Sequence, residues 1–375
     1  MMESIYKRWG IKTGINAWTW MTSIGGSIML PEVRQAMVDA APYFVDMQEL
    51  NRKAGEIIGR YTEAEDGMVT AGCAAAMGLQ MAACMTGKSL PKVRQLPDTE
   101  GMKDELIIPR NQRVVYDQAY KIPGAKFVEI GAGNSLFAED YERAITEKTA
   151  AITYIYGPGL GCVVPLEDVV AIGHKRGVPV IVDAAAMLPP VENLTRYISK
   201  GADMVAFSGG KGVRGPQSTG ILCGRKDLVE AARLHTCPGS IGILRVAKVC
   251  KEEIVGLITA LELFVNRDHD AVWNGWRKKA QTIANALHDI PWKKVTVKED
   301  REEFERQGPH AVISFGKSWE GPSVEEIRRL LLSGHPPIYL YAVPDKKEIW
   351  AGSVELRDGE EEVVAERLGL ILKRG

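Results

Sequence analysis

The residue of this sequence best suited to covalent chemistry is a lysine in an uncharged setting. Lys211 follows the apolar run 204–207 and stands in the segment SGGKG (208–212), and no other charged residue lies between positions 204 and 213. Burial lowers the pKa of a lysine and makes its neutral amine nucleophilic enough for Schiff-base chemistry. The flanking glycines let the backbone bend sharply. A solvated loop lysine is the alternative that this local pattern leaves open.

Two further segments are suited to holding a ligand. Asp183 ends the apolar run 180–182 and is followed by three alanines, which leave room for a flat group beside the carboxylate. The segment VTAGCAAA (69–76) opens a helix with a glycine among small residues. Free N–H groups and the helix dipole at such a start favour an anion, with phosphate the natural candidate. Close helix packing would require the same small residues.

Together, the anion site, the acid and the glycine-flanked lysine are the parts that pyridoxal 5′-phosphate (PLP) needs. Asp183 would pair with the pyridinium nitrogen and keep it protonated, so that the ring withdraws electrons. Lys211 would hold PLP as a Schiff base. The phosphate would be held by the start of the helix and by the serine near the lysine, namely Thr70, Ala71, Gly72, Cys73 and Ser208.

Alternating strands and helices must position these parts. From about residue 45 to 250, short apolar runs alternate with helical patterns, which predicts a mostly parallel sheet between helices. The strands are predicted at 105–108, 126–130, 151–155, 179–182, 204–207 and 220–223, and helices at 139–146 and 166–175. In such sheets the ligand lies beyond the carboxyl ends of the strands, where Asp183 and Lys211 fall.

The chain is predicted to have three regions. They are an N-terminal arm at 1–45, a large domain at 46–250, and a long linking helix with a small C-terminal α+β domain at 251–375. The long helix is predicted from about 244 through 266 and on to 287. The small domain is predicted to contain strands at 293–297, 311–315, 338–343 and 347–354, and helices at 324–332 and 360–372.

Composition narrows the class of protein. A net charge of −1 over 375 residues gives no global reason to bind nucleic acid. The six cysteines form no CxxC pair and have no zinc-site spacing to histidine, so no metal is predicted. No signal peptide is visible, which favours a cytoplasmic protein. The uncharged run 68–85 is rich in Ala, Gly and Met, which favours a buried helix over a membrane span.

The lysine segment carries a resemblance to a known group. The stretch FSGGK (207–211), continuing through GPQ (215–217) and TGIL (219–222), resembles fold-type I PLP enzymes. The group is the one containing bacterial selenocysteine synthase and D-glucosaminate-6-phosphate ammonia-lyase. Further similar segments are the arm at 15–17 and 22–27, the phosphate turn at 70–75, PRNQ (109–112), the acid at 183 and LRV with the helix start at 244–254. The resemblance covers most of 10–265 and implies a homodimer or an assembly of dimers.

The sequence departs from this group in informative places. Trp18, Trp20 and Met21 in the arm are bulkier than the small residues expected there. Gly210 stands where selenocysteine synthases have an acidic residue before the lysine. The chain also starts almost directly at the arm, without room for a separate tRNA-binding domain. With the net charge of −1, this predicts no binding of tRNA.

The resemblance and the residues together predict a lyase that eliminates water and ammonia from a polar 2-amino acid, such as a sugar-derived one. Lys211 would remove the Cα proton. A racemase or an aldolase would share this step, and a non-catalytic binding subunit is the alternative of another class. The residues predicted to bind the substrate are polar and mostly cationic, with Arg214 and Arg110 ranked first: Arg110, Gln112, Arg214, Arg245 and Arg357, with Arg113 a further candidate.

Overall fold

The computed structural model describes residues 4–132, 135–157, 160, 164–288, 293–299 and 308–373. Within them the chain forms two compact units. One contains the chain from Met29 to Arg267, and the other combines the residues up to Ile28 with most of the chain from Asp268 onward. The domain boundaries predicted after residues 45 and 250 stay a prediction, because compactness does not test which segments fold independently.

The regular elements of the described residues are numbered in chain order. The strands are β1 (Ile15–Asn16), β2 (Asp66–Thr70), β3 (Glu105–Pro109), β4 (Lys126–Ile130), β5 (Thr149–Ile155), β6 (Val180–Asp183), β7 (Met204–Ser208), β8 (Gly220–Gly224), β9 (Lys293–Lys298), β10 (His310–Phe315), β11 (Ile338–Tyr339), β12 (Tyr341–Val343) and β13 (Glu348–Gly352). The α-helices are α1 (Ile5–Arg8), α2 (Pro31–Ala40), α3 (Met47–Thr62), α4 (Gly72–Thr86), α5 (Leu90–Gln95), α6 (Ala138–Ala144), α7 (Leu166–Lys175), α8 (Asn193–Ser199), α9 (Lys226–Arg233), α10 (Lys251–Asn266), α11 (His269–Ala286), α12 (Val324–Ser333) and α13 (Glu360–Leu372). Short 3₁₀ helices lie at Thr22–Ile24, Arg110–Gln112, Val115–Lys121, Ile243–Val246 and Pro344–Lys346.

The larger unit is built on a seven-stranded sheet in the order β2-β8-β7-β6-β5-β3-β4. Strands β4, β3, β5, β6 and β7 are parallel, and β8 is antiparallel to both of its neighbours. The six predicted strands are all present, and the prediction of a mostly parallel sheet is confirmed. Strand β2 was not predicted, because it is short and leads into the uncharged run that also forms α4.

Helices cover both faces of this sheet. Side chains alternate along each strand, so Val180 and Val182 of β6 join one buried cluster and Ile181 joins the other. Side chains of α3, α7 and α10 complete the first cluster, and side chains of α4 and α9 complete the second. Burial on both faces explains why the central strands read as continuous apolar runs rather than alternating ones.

Helix α4 is buried along most of its length. A Cβ at Gly78 would lie 3.1 Å from Leu244 Cδ1 and 3.2 Å from the Ala119 carbonyl oxygen, so small residues allow this close approach. The helix takes up most of the uncharged run 68–85, which confirms the predicted buried helix. Among the described residues, no helix combines the length and apolar character required to cross a membrane.

The prediction of one long helix is wrong, because the chain forms two helices separated by a break at Arg267 and Asp268. Helix α10 ends at Asn266 and Arg267 is extended, with ψ of 156°. Asp268 then begins α11, and its side chain accepts a hydrogen bond of 2.9 Å from the Ala271 N–H. An aspartate at this position stabilises a new helix start by satisfying a free N–H group. The segment Ile243–Val246 is likewise a separate 3₁₀ helix.

The second unit contains a four-stranded antiparallel sheet in the order β12-β13-β10-β9, with apolar side chains of α11, α12 and α13 in its core. The predicted strand 338–343 is two short strands, β11 and β12. Residues of the predicted arm belong to this unit: Ile15 of β1 pairs with Ile338 of β11. The indole of Trp20 packs with Trp273 and Trp276. Helix α2, which follows in the predicted arm, belongs to the larger unit.

Candidate active site

Two antiparallel pairings bring the end of β2 to the same edge of the sheet as the ends of β6 and β7. Because β8 runs antiparallel to both β2 and β7, those two strands point the same way. In this register Thr70 lies opposite Gly220, and Gly220 lies opposite Ser208. The start of α4 and the lysine segment therefore leave the sheet at the edge where Asp183 ends β6.

Lys211 lies in a loop that closes on itself between β7 and β8. The Gly209 N–H donates to the Thr219 carbonyl oxygen at 2.9 Å, and the Gly215 N–H donates to the Gly209 carbonyl oxygen at 2.9 Å. The Arg214 N–H donates to the carbonyl oxygen of Lys211 itself, also at 2.9 Å. These bonds hold the backbone of Lys211 in place, while its side chain is partly exposed.

The glycines around Lys211 are required by close approach rather than by backbone conformation. A Cβ at Gly210 would lie 2.3 Å from Gln217 Cα, and one at Gly212 would lie 2.3 Å from the Leu188 carbonyl oxygen. Neither glycine has a positive φ; the residue of this loop that does is Arg214, at 62°. The glycines were expected to allow a sharp bend of the backbone. In the structure they instead allow the loop to pack tightly against neighbouring backbone.

The start of α4 is pressed against β8. A Cβ at Gly220 would lie 2.5 Å from the Gly72 carbonyl carbon and 2.7 Å from the Cys73 nitrogen. Gly72 has a φ of 79°, a conformation that favours glycine, and it turns the chain from β2 into the helix. The Thr70 hydroxyl donates to the Gly72 carbonyl oxygen at 3.0 Å. Ala71, at the helix cap, has no side-chain acceptor, so backbone N–H groups of the first turn remain available to an anion.

Asp183 is a buried carboxylate with defined partners. Its Oδ1 accepts the Ala185 N–H at 3.0 Å and lies 3.4 Å from the Cys73 sulfur, within hydrogen-bonding reach of a thiol. Burial raises the pKa of Asp183, while the Ala185 N–H, the positive charge of Lys211 and the Cys73 thiol act in the opposite direction. Burial also raises the pKa of Cys73 well above its ordinary value, so the thiol keeps its proton.

A buried polar layer behind Asp183 was not predicted from the sequence. Gln80 of α4 is fully buried, and its side-chain amide donates to the Val182 carbonyl oxygen at 3.1 Å. The Tyr120 hydroxyl lies 3.1 Å from the Thr153 hydroxyl. Burial and then the charge of Asp183 raise the pKa of Tyr120 well above its ordinary value. The signal that was available for Gln80 is its position as a lone amide in an apolar helix.

The predicted substrate residues are found in different settings. Arg214 is half-buried in the lysine loop, and its backbone N–H donates to the Lys211 carbonyl oxygen. The Arg110 side chain is exposed and lies 3.5 Å from Glu129 of β4. Gln112 is fully buried, and its Oε1 accepts the Ile155 N–H at 2.8 Å, which holds the end of β5. Arg245 is exposed on the 3₁₀ helix Ile243–Val246.

The other two arginines considered are bound to carboxylates. Arg113 forms ion pairs with Asp117 and Glu129, and the pair with Asp117 raises the pKa of its guanidinium. Arg357 belongs to the second unit, where it pairs with Glu360 at 2.8 Å. The substrate roles predicted for Arg110, Gln112, Arg214, Arg245 and Arg357 stay predictions.

An arginine that the sequence analysis did not select lies near Arg214. Arg267 follows α10, and its guanidinium lies 4.4 Å from the centre of the Phe264 ring. Burial, and then the like charge of Arg214, lower the pKa of Arg267 to about 10. The guanidinium groups of Arg214 and Arg267 therefore lie close enough for their charges to interact. Local sequence gave no signal for Arg267, because its position depends on where α10 ends.

The sheet order, the acid ending β6 and the lysine following β7 define the large domain of a fold-type I enzyme, a class whose members use PLP. Within that class, the family model described as L-seryl-tRNA selenium transferase (SelA) matches residues 20–273. The chain belongs to this family, and the resemblance inferred from the lysine segment is confirmed.

Two relatives match most of the chain in sequence. D-glucosaminate-6-phosphate ammonia lyase from Salmonella typhimurium is 33% identical over 347 residues, which cover 90% of this chain and 89% of the relative. A 5′-C-glycyluridine monooxygenase-decarboxylase from a Streptomyces species is 32% identical over 393 residues, which cover 99% and 92%. A solved structure of D-glucosaminate-6-phosphate ammonia-lyase has a TM-score of 0.87 and 30% identity, with coverage of 100% of this chain and 99% of that one.

Proposed function

We propose that this protein is a PLP-dependent lyase that eliminates water from a polar, sugar-derived 2-amino acid and then, by hydrolysis, releases ammonia and a 2-keto acid. The observation that carries the proposal is the buried carboxylate of Asp183, which interacts electrostatically with Lys211 at the edge where α4 begins. The similarity to D-glucosaminate-6-phosphate ammonia lyase over 90% of the chain supports this reaction rather than racemisation or aldol cleavage.

The residues of this edge fit PLP. A buried acid at the end of β6 suits the ring nitrogen, and an amine on the loop after β7 suits covalent attachment. The start of α4, at Thr70, Ala71, Gly72 and Cys73, offers N–H groups to the phosphate, and Ser208 ends the neighbouring strand. A Cβ at Gly220 would collide with this start, and the positive φ of Gly72 disfavours a side chain there.

The chain would act through proton transfers at two positions. When bound, PLP supplies an electron sink for negative charge that develops at the substrate Cα. Asp183 keeps the proton on the ring nitrogen and so maintains this sink. The Lys211 amine removes the Cα proton as general base and then, as an ammonium, donates a proton to the departing β-hydroxyl. Loss of water leaves an enamine, which hydrolyses to the 2-keto acid and ammonia.

Arg214 is our first candidate for the substrate carboxylate. Its backbone N–H is hydrogen-bonded to the Lys211 carbonyl oxygen, so Arg214 belongs to the same loop as the reacting amine. Arginine binds carboxylates with two parallel hydrogen bonds, which fixes their orientation. The neighbouring Arg267 adds positive potential, which suits a substrate with a second acidic group.

A second candidate function follows from the monooxygenase-decarboxylase relative, which is 32% identical over 99% of the chain. The same lysine and acid would serve an oxidative decarboxylation, since this reaction also develops negative charge at the substrate Cα. It differs from the lyase reaction in consuming O₂ and releasing CO₂. These two quantities separate the candidates in one assay.

The test is a panel of β-hydroxy 2-amino acids, phosphorylated and unphosphorylated, incubated with the PLP-loaded protein in D₂O. A lyase releases ammonia and 2-keto acid in equal amounts without O₂ uptake. Deuterium at Cα of recovered amino acid, without ammonia, would contradict the lyase and favour a racemase. Oxygen uptake with CO₂ release would favour the second candidate. An unchanged cofactor absorbance with every amino acid would favour a binding subunit.

We also propose a homodimer in the cytoplasm. Large apolar residues are exposed after α2: Phe44 is fully exposed, and Tyr43 and Val45 are exposed to 67% and 49%. A second copy of the chain would cover such a surface. Light scattering coupled to size exclusion measures the mass directly, and a monomer at micromolar concentration would contradict the proposal.

A further inference from the structure

The thiol of Cys73 connects two parts of the candidate site. Cys73 is the second residue of α4, so its N–H belongs to the helix start that suits phosphate. Its sulfur lies 3.4 Å from Oδ1 of Asp183, on a different element. We propose that Cys73 is a positioning residue whose S–H donates a hydrogen bond to Asp183 and keeps that carboxylate ionised and oriented towards the cofactor ring. The inference deepens the proposed function, on which its role in the reaction rests.

The surroundings of Cys73 and Asp183 hold the sulfur and the carboxylate in position for this contact. The backbone of Cys73 packs closely against β8. A Cβ at Gly220 would lie only 2.7 Å from the Cys73 nitrogen. Cys73 is a buried residue, which limits the competition of water for the thiol. Asp183 Oδ1 is held from its other side by the Ala185 N–H at 3.0 Å. The thiol and this N–H therefore fix one oxygen of the carboxylate, and the second oxygen is left for other partners.

The Cys73 thiol opposes the effect of burial on the charge of Asp183. Burial alone raises the pKa of Asp183 and favours its neutral form, which would not hold a proton on a ring nitrogen. The titratable groups that face Asp183 among the described residues are Cys73 on α4, Lys211 on the loop after β7, and Tyr120 on the 3₁₀ helix Val115–Lys121. Both Cys73 and Tyr120 keep their protons, since burial raises the pKa of each. A protonated thiol at 3.4 Å is a donor, and it stabilises the charged carboxylate.

The first test uses the cofactor-free protein and is independent of the proposed function. Aspartate carboxyl carbons are labelled with ¹³C, and Asp183→Asn identifies the Asp183 resonance. In Cys73→Ala the pKa of Asp183 should rise by about one pH unit, since a hydrogen bond to a charged group is lost. Cys73→Ser keeps a donor with slightly shorter reach and should show a smaller rise. The matched control is Cys223→Ala, since the Cys223 sulfur instead faces the Val205 carbonyl oxygen at 3.7 Å.

The second test observes the donor itself. Subtracting the Cys73→Ala infrared spectrum from that of the wild type isolates the S–H stretch of Cys73, and Cys223→Ala isolates that of Cys223 in the same way. The Cys73 stretch should lie at lower frequency, because a hydrogen bond to a carboxylate weakens the S–H bond. Replacing Asp183 with Ala should raise the Cys73 frequency. Thermal melts establish that each variant is folded.

The PLP-loaded protein then tests the role in the reaction. With ¹⁵N-labelled PLP, the ring-nitrogen resonance of Cys73→Ala should move towards the unprotonated value, because a more basic Asp183 takes a larger share of the proton. Equal pKa values in wild type and Cys73→Ala, or equal rises in Ala and Ser, would overturn the inference. Failure of PLP to attach to Lys211 would instead overturn the proposed function, while the cofactor-free titration still decides the role of Cys73.

Discussion

The indole Nε1 of Trp20 donates a hydrogen bond of 2.7 Å to Oε1 of Glu355, and both side chains are buried. The other oxygen of Glu355 accepts the Ile28 N–H at 3.1 Å. One carboxylate thus holds both ends of the segment 20–28. Trp20, an unexpected bulky residue of the arm, has a structural role within the second unit.

Replacing Glu355 with Ala should lower the free energy of unfolding by about 1–3 kcal/mol, since the buried indole N–H of Trp20 and the part-buried N–H of Ile28 lose their acceptor. Urea denaturation measures the change. Glu366→Ala, on the exposed surface of α13, is the control and should stay within about 0.5 kcal/mol of wild type. A Glu355 variant as stable as this control would show that the carboxylate does not hold the segment.

Lys211→Ala should abolish covalent attachment of PLP and the activity, because Lys211 is the one lysine in the loop 209–219 between β7 and β8. Borohydride reduction followed by peptide mapping locates the attachment site in the wild type. Lys226→Ala, an exposed lysine at the start of α9, should keep both properties. An adduct on a lysine other than Lys211 would refute the assignment.

Asp183→Asn should leave PLP bound and lower kcat by about 100-fold or more, since a neutral amide does not hold a proton on the ring nitrogen. Cofactor absorbance measures binding, and initial rates with a substrate from the panel measure turnover. A variant with wild-type kcat would mean that another group is the ring partner.

Gly220→Ala should weaken PLP binding and lower the free energy of unfolding by about 1–3 kcal/mol, since the new Cβ would meet Gly72 at 2.5 Å. Gly275→Ala is the matched control. Its Cβ would meet nothing within 4 Å on the exposed face of α11, so the variant should gain about 0.5–1 kcal/mol. Equal effects of the two substitutions on PLP affinity would contradict a role for the close approach at Gly220.

The protein should show no measurable binding of tRNA at physiological salt, although its family is described by a tRNA-dependent reaction. The net charge of −1 provides no general attraction to phosphates. A gel shift at two salt concentrations measures this. Tight binding that weakens steeply with salt would return selenium transfer to consideration.

Much of the larger unit was predictable, because strands buried on both faces are recognisable as short apolar runs. For this reason the acid after 180–182 and the lysine after 204–207 were predicted to follow strand ends, and the structure pairs those two strands. Strand β2 was missed since its pattern merges with that of α4. The break after α10 was missed because helical periodicity continues on both sides of Asp268, and only the cap marks the end.

Contacts between elements that are distant in the chain could not be predicted from the sequence. The position of the Cys73 sulfur beside Asp183 depends on the packing of α4 against the sheet, and no local pattern encodes it. The substrate role of Gln112 stays a prediction, and nothing in the sequence indicated that its buried amide oxygen accepts a backbone N–H at the end of β5. A polar residue near a strand end has the same sequence signature whether it faces the ligand or supports the backbone behind it.

The row of paired residues Thr70, Gly220 and Ser208 has a consequence for how this protein diverges. Inserting or deleting one residue in β8 would shift the row and reverse which face each side chain occupies. The segments that follow β3 and β4 leave the other half of the sheet and carry no part of the row. A change of length there leaves the pairing of the row intact, provided that Gln112 still holds the end of β5. Such a division allows new substrates to evolve on unchanged cofactor chemistry, and the two relatives with similar identity but differently named reactions are consistent with it.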